Sequence, residues 1–454
     1  MHTIDRRDFL KRGALTTAGG LALGGPLQAF AMRAARGETR RAEGYGPLIE
    51  QGELALPDGF SYRVVSREGD PMSDGNPTPG IFDGMAAYAG GGGTTILIRN
   101  HENRRRAGET PVIVSPELRY DGDTSYNAGC TKLVLAPDGS VAESFAVIGG
   151  MSTNCAGGAT PWGSWITCEE IYDQGAQPHG YAFEVPADAR SAVAAEPIRA
   201  AGRFVREAVA WFDGVLYQTE DRGVSVLTRY TPDGAITQAG QLAPGTGRLQ
   251  GLRVPSHPGI NTSLEWQSTF GLGKAVPVDW VDIAEPEPAP GAPSTDGFVR
   301  NQALAQGAAT FSRQEGVWVG GGRVYFDCTD GGAASLGQIW EFNPRKQELK
   351  LVFESSSDTE LKNPDNLVVV PATRDVFLCE DADPPMFVRG ITRGGSIYDF
   401  ARAVAYPDSE FCGACFDPSS QILFVNQQGN RSSGGDKILG ITYAISGPWD
   451  ERED

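Results

Sequence analysis

Six stretches of the chain share one arrangement of apolar and polar positions: a short run of β-branched, aromatic and aliphatic residues that stops at acids or amides. They cover residues 94–102, 163–170, 214–221, 322–330, 374–381 and 421–428. Runs of this length and composition, bounded by turn residues, read as strands, and the polar end marks where each strand leaves the core. Measured between their final residues, the spacings are 68, 51, 109, 51 and 47 residues. Three of these lie near the roughly 40–50 residues of a four-stranded blade, which predicts an all-β protein, a six-bladed β-propeller. The interval of 109 residues contains a proline- and alanine-rich stretch at 285–293. A surface excursion is therefore expected near 240–300, with a seventh blade as the alternative.

Composition supports many short strands joined by tight turns: 59 glycines and 30 prolines accompany a hydrophobic content of 40%. The first residues do not follow the strand pattern. Asp5-Arg6-Arg7-Asp8-Phe9-Leu10-Lys11 is followed by a glycine-diluted apolar run at 14–23 and then by Ala29-Phe30-Ala31. A basic start, a weak apolar stretch and small residues at a cleavage site describe a removable export signal over residues 1–31. Its paired arginines followed by Phe-Leu-Lys resemble the twin-arginine motif, whose translocase carries folded cargo to the periplasm or beyond. The apolar run is shorter than the roughly 20 residues that span a bilayer, so no stable membrane insertion is expected. Residues 32–454 are then expected to form a single propeller domain, acting as a monomer.

The formal net charge of −18 repels phosphate backbones and argues against a nucleic-acid partner. Most of the acids serve solubility, but those that end the six runs need another account. If these runs line the channel, Glu102, Glu170, Asp221, Asp330 and Asp381 converge at one mouth. Taken singly, such acids cap turns; brought together, they repel one another and call for bound cations. Oxygen ligands suit calcium or a similar hard ion, and a thiolate among them suggests a transition metal alongside.

Of the seven cysteines, Cys155 and Cys168 flank a distinctive stretch. It reads Asn154-Cys155-Ala156-Gly157-Gly158-Ala159-Thr160-Pro161-Trp162-Gly163-Ser164-Trp165-Ile166-Thr167-Cys168-Glu169-Glu170. This stretch resembles the signature of PhoX-type alkaline phosphatases. The likeness continues through Asn100-His101-Glu102, Gly202-Arg203-Phe204 with Glu207, Thr219-Glu220-Asp221, Arg313-Gln314-Glu315-Gly316, Asn363-Pro364-Asp365-Asn366 and Glu410-Phe411-Cys412-Gly413. It implies a secreted phosphatase whose propeller channel holds ferric ions (Fe3+) and calcium ions (Ca2+), acting on a small-molecule phosphate ester. By that resemblance Cys155 bridges the irons, Glu170, Glu207, Asp221 and Glu315 are metal ligands, and Arg313 contacts the phosphate. Glu102, Asp365, Asn366 and Asp381 are further candidates for the metal site or its surroundings. Arg206 stands where the family usually has histidine, so the neighbourhood of Glu207 is expected to differ.

The remaining signals are weaker. His101 lies beside a candidate site, whereas His179 and His257 read as loop residues. Cys412-Gly413-Ala414-Cys415 lacks the second cysteine pair of a zinc site and reads as structural. Two other functions fit a metal-loaded propeller: a calcium-dependent lactonase, which needs one metal and no cysteine, and a non-catalytic binding propeller.

Overall fold

Each of the six apolar runs forms a strand, and each strand lies second from the centre of its own sheet. The computed structural model describes residues 41–429 and 437–453; the leader assigned to 1–31 lies outside them. Six antiparallel sheets form the blades of a β-propeller, in agreement with the pattern of the runs. The innermost strands are Phe82–Ala89, Asn154–Ala159, Arg206–Phe212, Gln314–Gly320, Pro364–Val369 and Phe411–Phe416, which we take as blades 1 to 6. Each touches the innermost strand of the next blade, and the last touches the first, so the six close a ring.

Their pattern predicts that the runs line the channel, and the structure places them one strand outward. The reason is burial. A second strand is covered by neighbouring blades on both faces, so it reads as nearly continuous apolar sequence. The innermost strands, with sequences such as FDGMAAYA and NCAGGA, are small and polar because the ring leaves little room for side chains.

Hydrophobic packing lies between the blades. Six core clusters are present, one at each blade-to-blade junction: Trp165 with Phe183 belongs to the junction of blades 1 and 2, and Trp340 with Tyr217 to that of blades 3 and 4. With the apolar burial placed there, the channel does not have to supply it and is left to polar residues. The ring is fastened by Ser61–Arg67, an early segment that pairs with Ile441–Ser446 as the outer strand of blade 6.

The long interval holds no seventh blade among the described residues. Blade 3 has a fifth strand, Asp279–Ile283, and the segment before it lends Ala275–Pro277 to the edge of blade 4. Helices Thr262–Thr269 and Phe298–Leu304 fill much of the rest. The stretch at 285–293 is pinned rather than loose: Arg203 N–H donates to the Pro286 carbonyl at 2.8 Å, and the Tyr181 hydroxyl donates to Glu287. No helix among the described residues is long and apolar enough to cross a membrane.

The ring tolerates little added volume. Gly413 in blade 6 has φ +61°, and a Cβ there would stand 2.3 Å from the Asp83 carbonyl of blade 1. Gly413→Ala should therefore destabilise the fold by about 2–4 kcal/mol through backbone strain and overpacking. Gly122→Ala, where a Cβ meets nothing within 4 Å, serves as the control. Thermal melting of both variants checks this, with a clear fall expected for Gly413→Ala alone.

Candidate metal centre

Every innermost strand begins with the same irregularity. Its first residue pairs with the last residue of the second strand, as in Phe82 with His101 and Asn154 with Glu169, and a β-bulge follows at once or one residue later. A bulge inserts an extra residue and re-aims its side chain. In blades 1 to 5 the residue directly after that first pair is Asp83, Cys155, Glu207, Glu315 or Asp365, and all five are buried. The blade repeat thus delivers one donor per blade to a common place.

The bulges are held from two directions. Asn100 Nδ2 of blade 1 donates to the carbonyls of Cys155 and Ala156 in blade 2 at 3.0 and 2.8 Å. Thr219 of blade 3 does the same for the Glu315 carbonyl at 2.5 Å, and Asn426 of blade 6 for the Asp83 carbonyl at 2.6 Å. Just before four of the innermost strands, Ile81, Thr153, Arg313 and Asn363 adopt φ of 49°, 55°, 47° and 47°. For the β-branched Ile81 and Thr153 this is a strained conformation costing about 1–3 kcal/mol. The carbonyls of Ile81 and Thr153 accept from the N–H groups of Glu102 and Glu170, at 2.8 and 2.9 Å, which ties the strained entries to the ends of the second strands.

Two groups of potential ligand atoms result, each with its members within 4.8 Å of one another: Asp83, Glu102 and Cys155, and Cys155, Glu170 and Glu207. The Cys155 sulfur belongs to both. Gln428 Nε2 donates to Asp83 and Glu102 at 3.1 and 3.0 Å. Arg313 makes a forked pair with Asp221 at 2.8 and 3.0 Å and reaches Glu315 at 2.8 Å. Arg104 contacts Glu102 and lies 3.0 Å from Glu170.

The charge balance is unfavourable without further cations. Burial pushes the carboxyls of Asp83, Glu170, Glu207 and Glu315 well above the ordinary range, and neighbouring acids add to the effect. Asp365 is pushed up to about 8 by burial and then by Asp381 and Glu102. The Cys155 thiol rises for the same reason, burial first and then Asp83 and Glu207. Protonation alone is a poor solution, because a carboxylic acid needs an acceptor for its proton and a carboxylate needs donors. Both oxygens of Glu207 and one of Asp83 are buried with no hydrogen-bond partner among the described residues. A cation accepts such lone pairs directly and lowers the pKa of its ligands. The residues present therefore fit a metal centre, with sulfur at its middle and oxygens around it.

The structure brings Cys155, Glu170, Glu207, Asp221, Glu315, Arg313, Glu102 and Asp365 into this region. Asn366 follows Asp365 in the blade 5 bulge. Asp381 stands exposed at the rim. Asp330 does not join them: blade 4 places Thr329 at the position of Glu102 and Glu170, and Asp330 accepts from Ser312 at 2.6 Å. Asp83 and Arg104 were missed by sequence reasoning. A usable signal existed, an acid or cysteine followed by glycine or alanine at a strand entry, as in Asp83-Gly84, Cys155-Ala156, Glu207-Ala208 and Glu315-Gly316.

His101 serves the fold. Its ring nitrogens bond the Gly80 carbonyl and Thr131, each at 2.8 Å, and burial holds its pKa well below the usual value. His179 is no loose loop residue: it is fully buried, bonded to Glu169 at 2.6 Å and stacked on Tyr126. His257 is exposed. Arg206 turns away from Glu207 toward the Gly202 carbonyl and Gln218, at 2.7 and 3.0 Å. All seven cysteines are free and buried.

The family described as alkaline phosphatase PhoX matches residues 43–144 and 136–430. Among solved structures, Pseudomonas fluorescens PhoX in complex with vanadate, a transition state analogue, aligns with a TM-score of 0.65 at 16% identity, covering 88% of this chain and 97% of that one. A virginiamycin B lyase from Staphylococcus aureus aligns with a TM-score of 0.38 at 10% identity, over 85% of this chain and 99% of that one. No curated protein sequence matches. Matched from the first described strands into blade 6, the chain belongs to the alkaline phosphatase PhoX family and is a phosphatase.

Proposed function

We propose that this phosphatase hydrolyses phosphate monoesters at a mixed iron and calcium centre in the propeller mouth, after folded export through the twin-arginine translocase. The observation that carries the reading is the Cys155 sulfur, common to two groups of potential ligands. A thiolate shared in this way suits a pair of Fe3+ ions, with Glu170 and Glu207 among their oxygen ligands. The sulfur-free side of the cluster, Asp221, Glu315 and Asp365 with Asn366, suits Ca2+. Glu102 and Asp83 complete the iron side, and Asp381 borders the site from the rim. A lactonase with a single calcium would have no use for the sulfur.

When bound, the cations would neutralise charge on the phosphoryl oxygens during displacement. The chain's own residues hold the ester in place. Arg313 presents a fork of donors whose plane is set by Asp221 and Glu315, and such a fork matches two oxygens of a phosphate. Its exposure of 41% leaves it open to a ligand from the channel mouth. Vanadate bound by Pseudomonas PhoX supports phosphoryl chemistry on this scaffold.

Export in the folded state follows from the construction of the site. Its donors come from five blades and adjoin one another only in the folded propeller, so metal binding and folding are coupled. Seven buried free thiols support folding in a reducing compartment before transfer.

Two expected outcomes test the proposal. Cys155→Ser should lose iron by elemental analysis, retain calcium, and lose activity on p-nitrophenyl phosphate by orders of magnitude, while Cys328→Ser should keep its iron. A Cys155→Ser protein with full iron and full activity would overturn the site. Replacing Arg6 and Arg7 together by lysine should leave the protein in the cytoplasm on fractionation, and normal export of that variant would rule out the twin-arginine route.

A further inference from the structure

We propose that Arg104 is a second guanidinium contact for the phosphate group, acting together with Arg313 and selecting dianionic monoesters over diesters. The inference rests on the phosphatase reading above and adds a residue that its sequence signals did not single out.

The two arginines are disposed alike. Arg104 pairs with Glu102 of blade 1 and Glu170 of blade 2, and Arg313 with Asp221 of blade 3 and Glu315 of blade 4. The acids they bind adjoin one another: Glu170, paired with Arg104, lies against Asp221, paired with Arg313. Both guanidiniums reach the surface, with exposures of 30% and 41%. Arg104 is also not saturated: its Nε is buried with no hydrogen-bond partner among the described residues.

Arg104 sits on a braced turn. Glu109 accepts the N–H groups of Arg104 and Arg106 at 2.9 and 3.0 Å, and Asn103 Nδ2 donates to the Thr110 carbonyl at 2.9 Å. Its guanidinium is thus delivered to the mouth by a closed loop, at little entropic cost on binding. Arg104 engages its acids through Nη2 alone and Arg313 through Nε and Nη2, so each guanidinium keeps donors for a further anion. A tetrahedral dianion seated between them offers oxygens to each fork. A monoester has three non-bridging oxygens to share, whereas a diester has two and carries a single charge.

The test measures inorganic phosphate binding to metal-loaded protein through the phosphate-dependent rise in melting temperature. Wild type, Arg104→Ala, Arg104→Gln and Arg104→Lys are compared, with metal content determined on each. Arg104→Ala and Arg104→Gln should bind phosphate on the order of 10- to 100-fold more weakly at unchanged metal content, with partial recovery in Arg104→Lys. Their preference for p-nitrophenyl phosphate over bis-p-nitrophenyl phosphate should narrow. Unchanged phosphate affinity, or a loss that follows loss of metal, would overturn the assignment and leave Arg104 as a brace for Glu102 and Glu170. Failure of the wild type to hydrolyse p-nitrophenyl phosphate while binding phosphate through Arg104 would count against the monoesterase reading alone.

Discussion

Asp83, Glu102 and Glu207 are buried and Glu170 half-buried around one thiol, Glu315 and Asp365 are buried on the neighbouring blades, and the described donors, chiefly Arg104, Arg313 and Gln428, leave both oxygens of Glu207 without a partner. Burying several like charges without compensation is among the most unfavourable arrangements a fold can contain. Much else in the architecture reads as a means of tolerating that cluster. Apolar packing is confined to the junctions between blades, where it stabilises the ring without entering the channel. The mouth is left to polar side chains whose unpartnered oxygens cations can complete.

Geometry at the mouth comes from repetition with small variations. A bulge at the start of each innermost strand turns one side chain toward the cluster, and a second-strand side chain such as Asn100, Thr219 or Asn426 grips the bulged backbone of the next blade. Left-handed residues at Ile81 and Thr153 store strain that the neighbouring hydrogen bonds hold in place. Six weakly related blades can in this way supply a mixed donor set, sulfur from one and oxygens from others, with no long binding loop.

The parts of this design that show in the sequence are those with a strong burial signature. Second strands are covered on both faces, so their apolar runs and blade-length spacing were readable, as were the acids at their ends. Innermost strands carry small and polar residues, so their periodicity is faint, and Asp83 in Phe82-Asp83-Gly84 went unnoticed. A single extra polar residue after Thr329 was enough to suggest Asp330 in error. His179 lies in a connecting segment by sequence, but its burial against Glu169 and Tyr126 depends on contacts that only the fold creates. Cys155, Glu207 and Glu315 were placed through family resemblance, although each stands at its strand entry as an acid or cysteine followed by glycine or alanine, a local pattern that only the bulges of the folded blades make meaningful.

In the proposed centre the Cys155 sulfur is shared by ions on either side of it. X-ray absorption at the iron edge, on protein purified from its native host, reads this directly. A sulfur scatterer is expected in the first coordination shell of the wild type, disappearing from whatever iron remains in Cys155→Ser. An iron shell of nitrogen and oxygen alone in the wild type would contradict it.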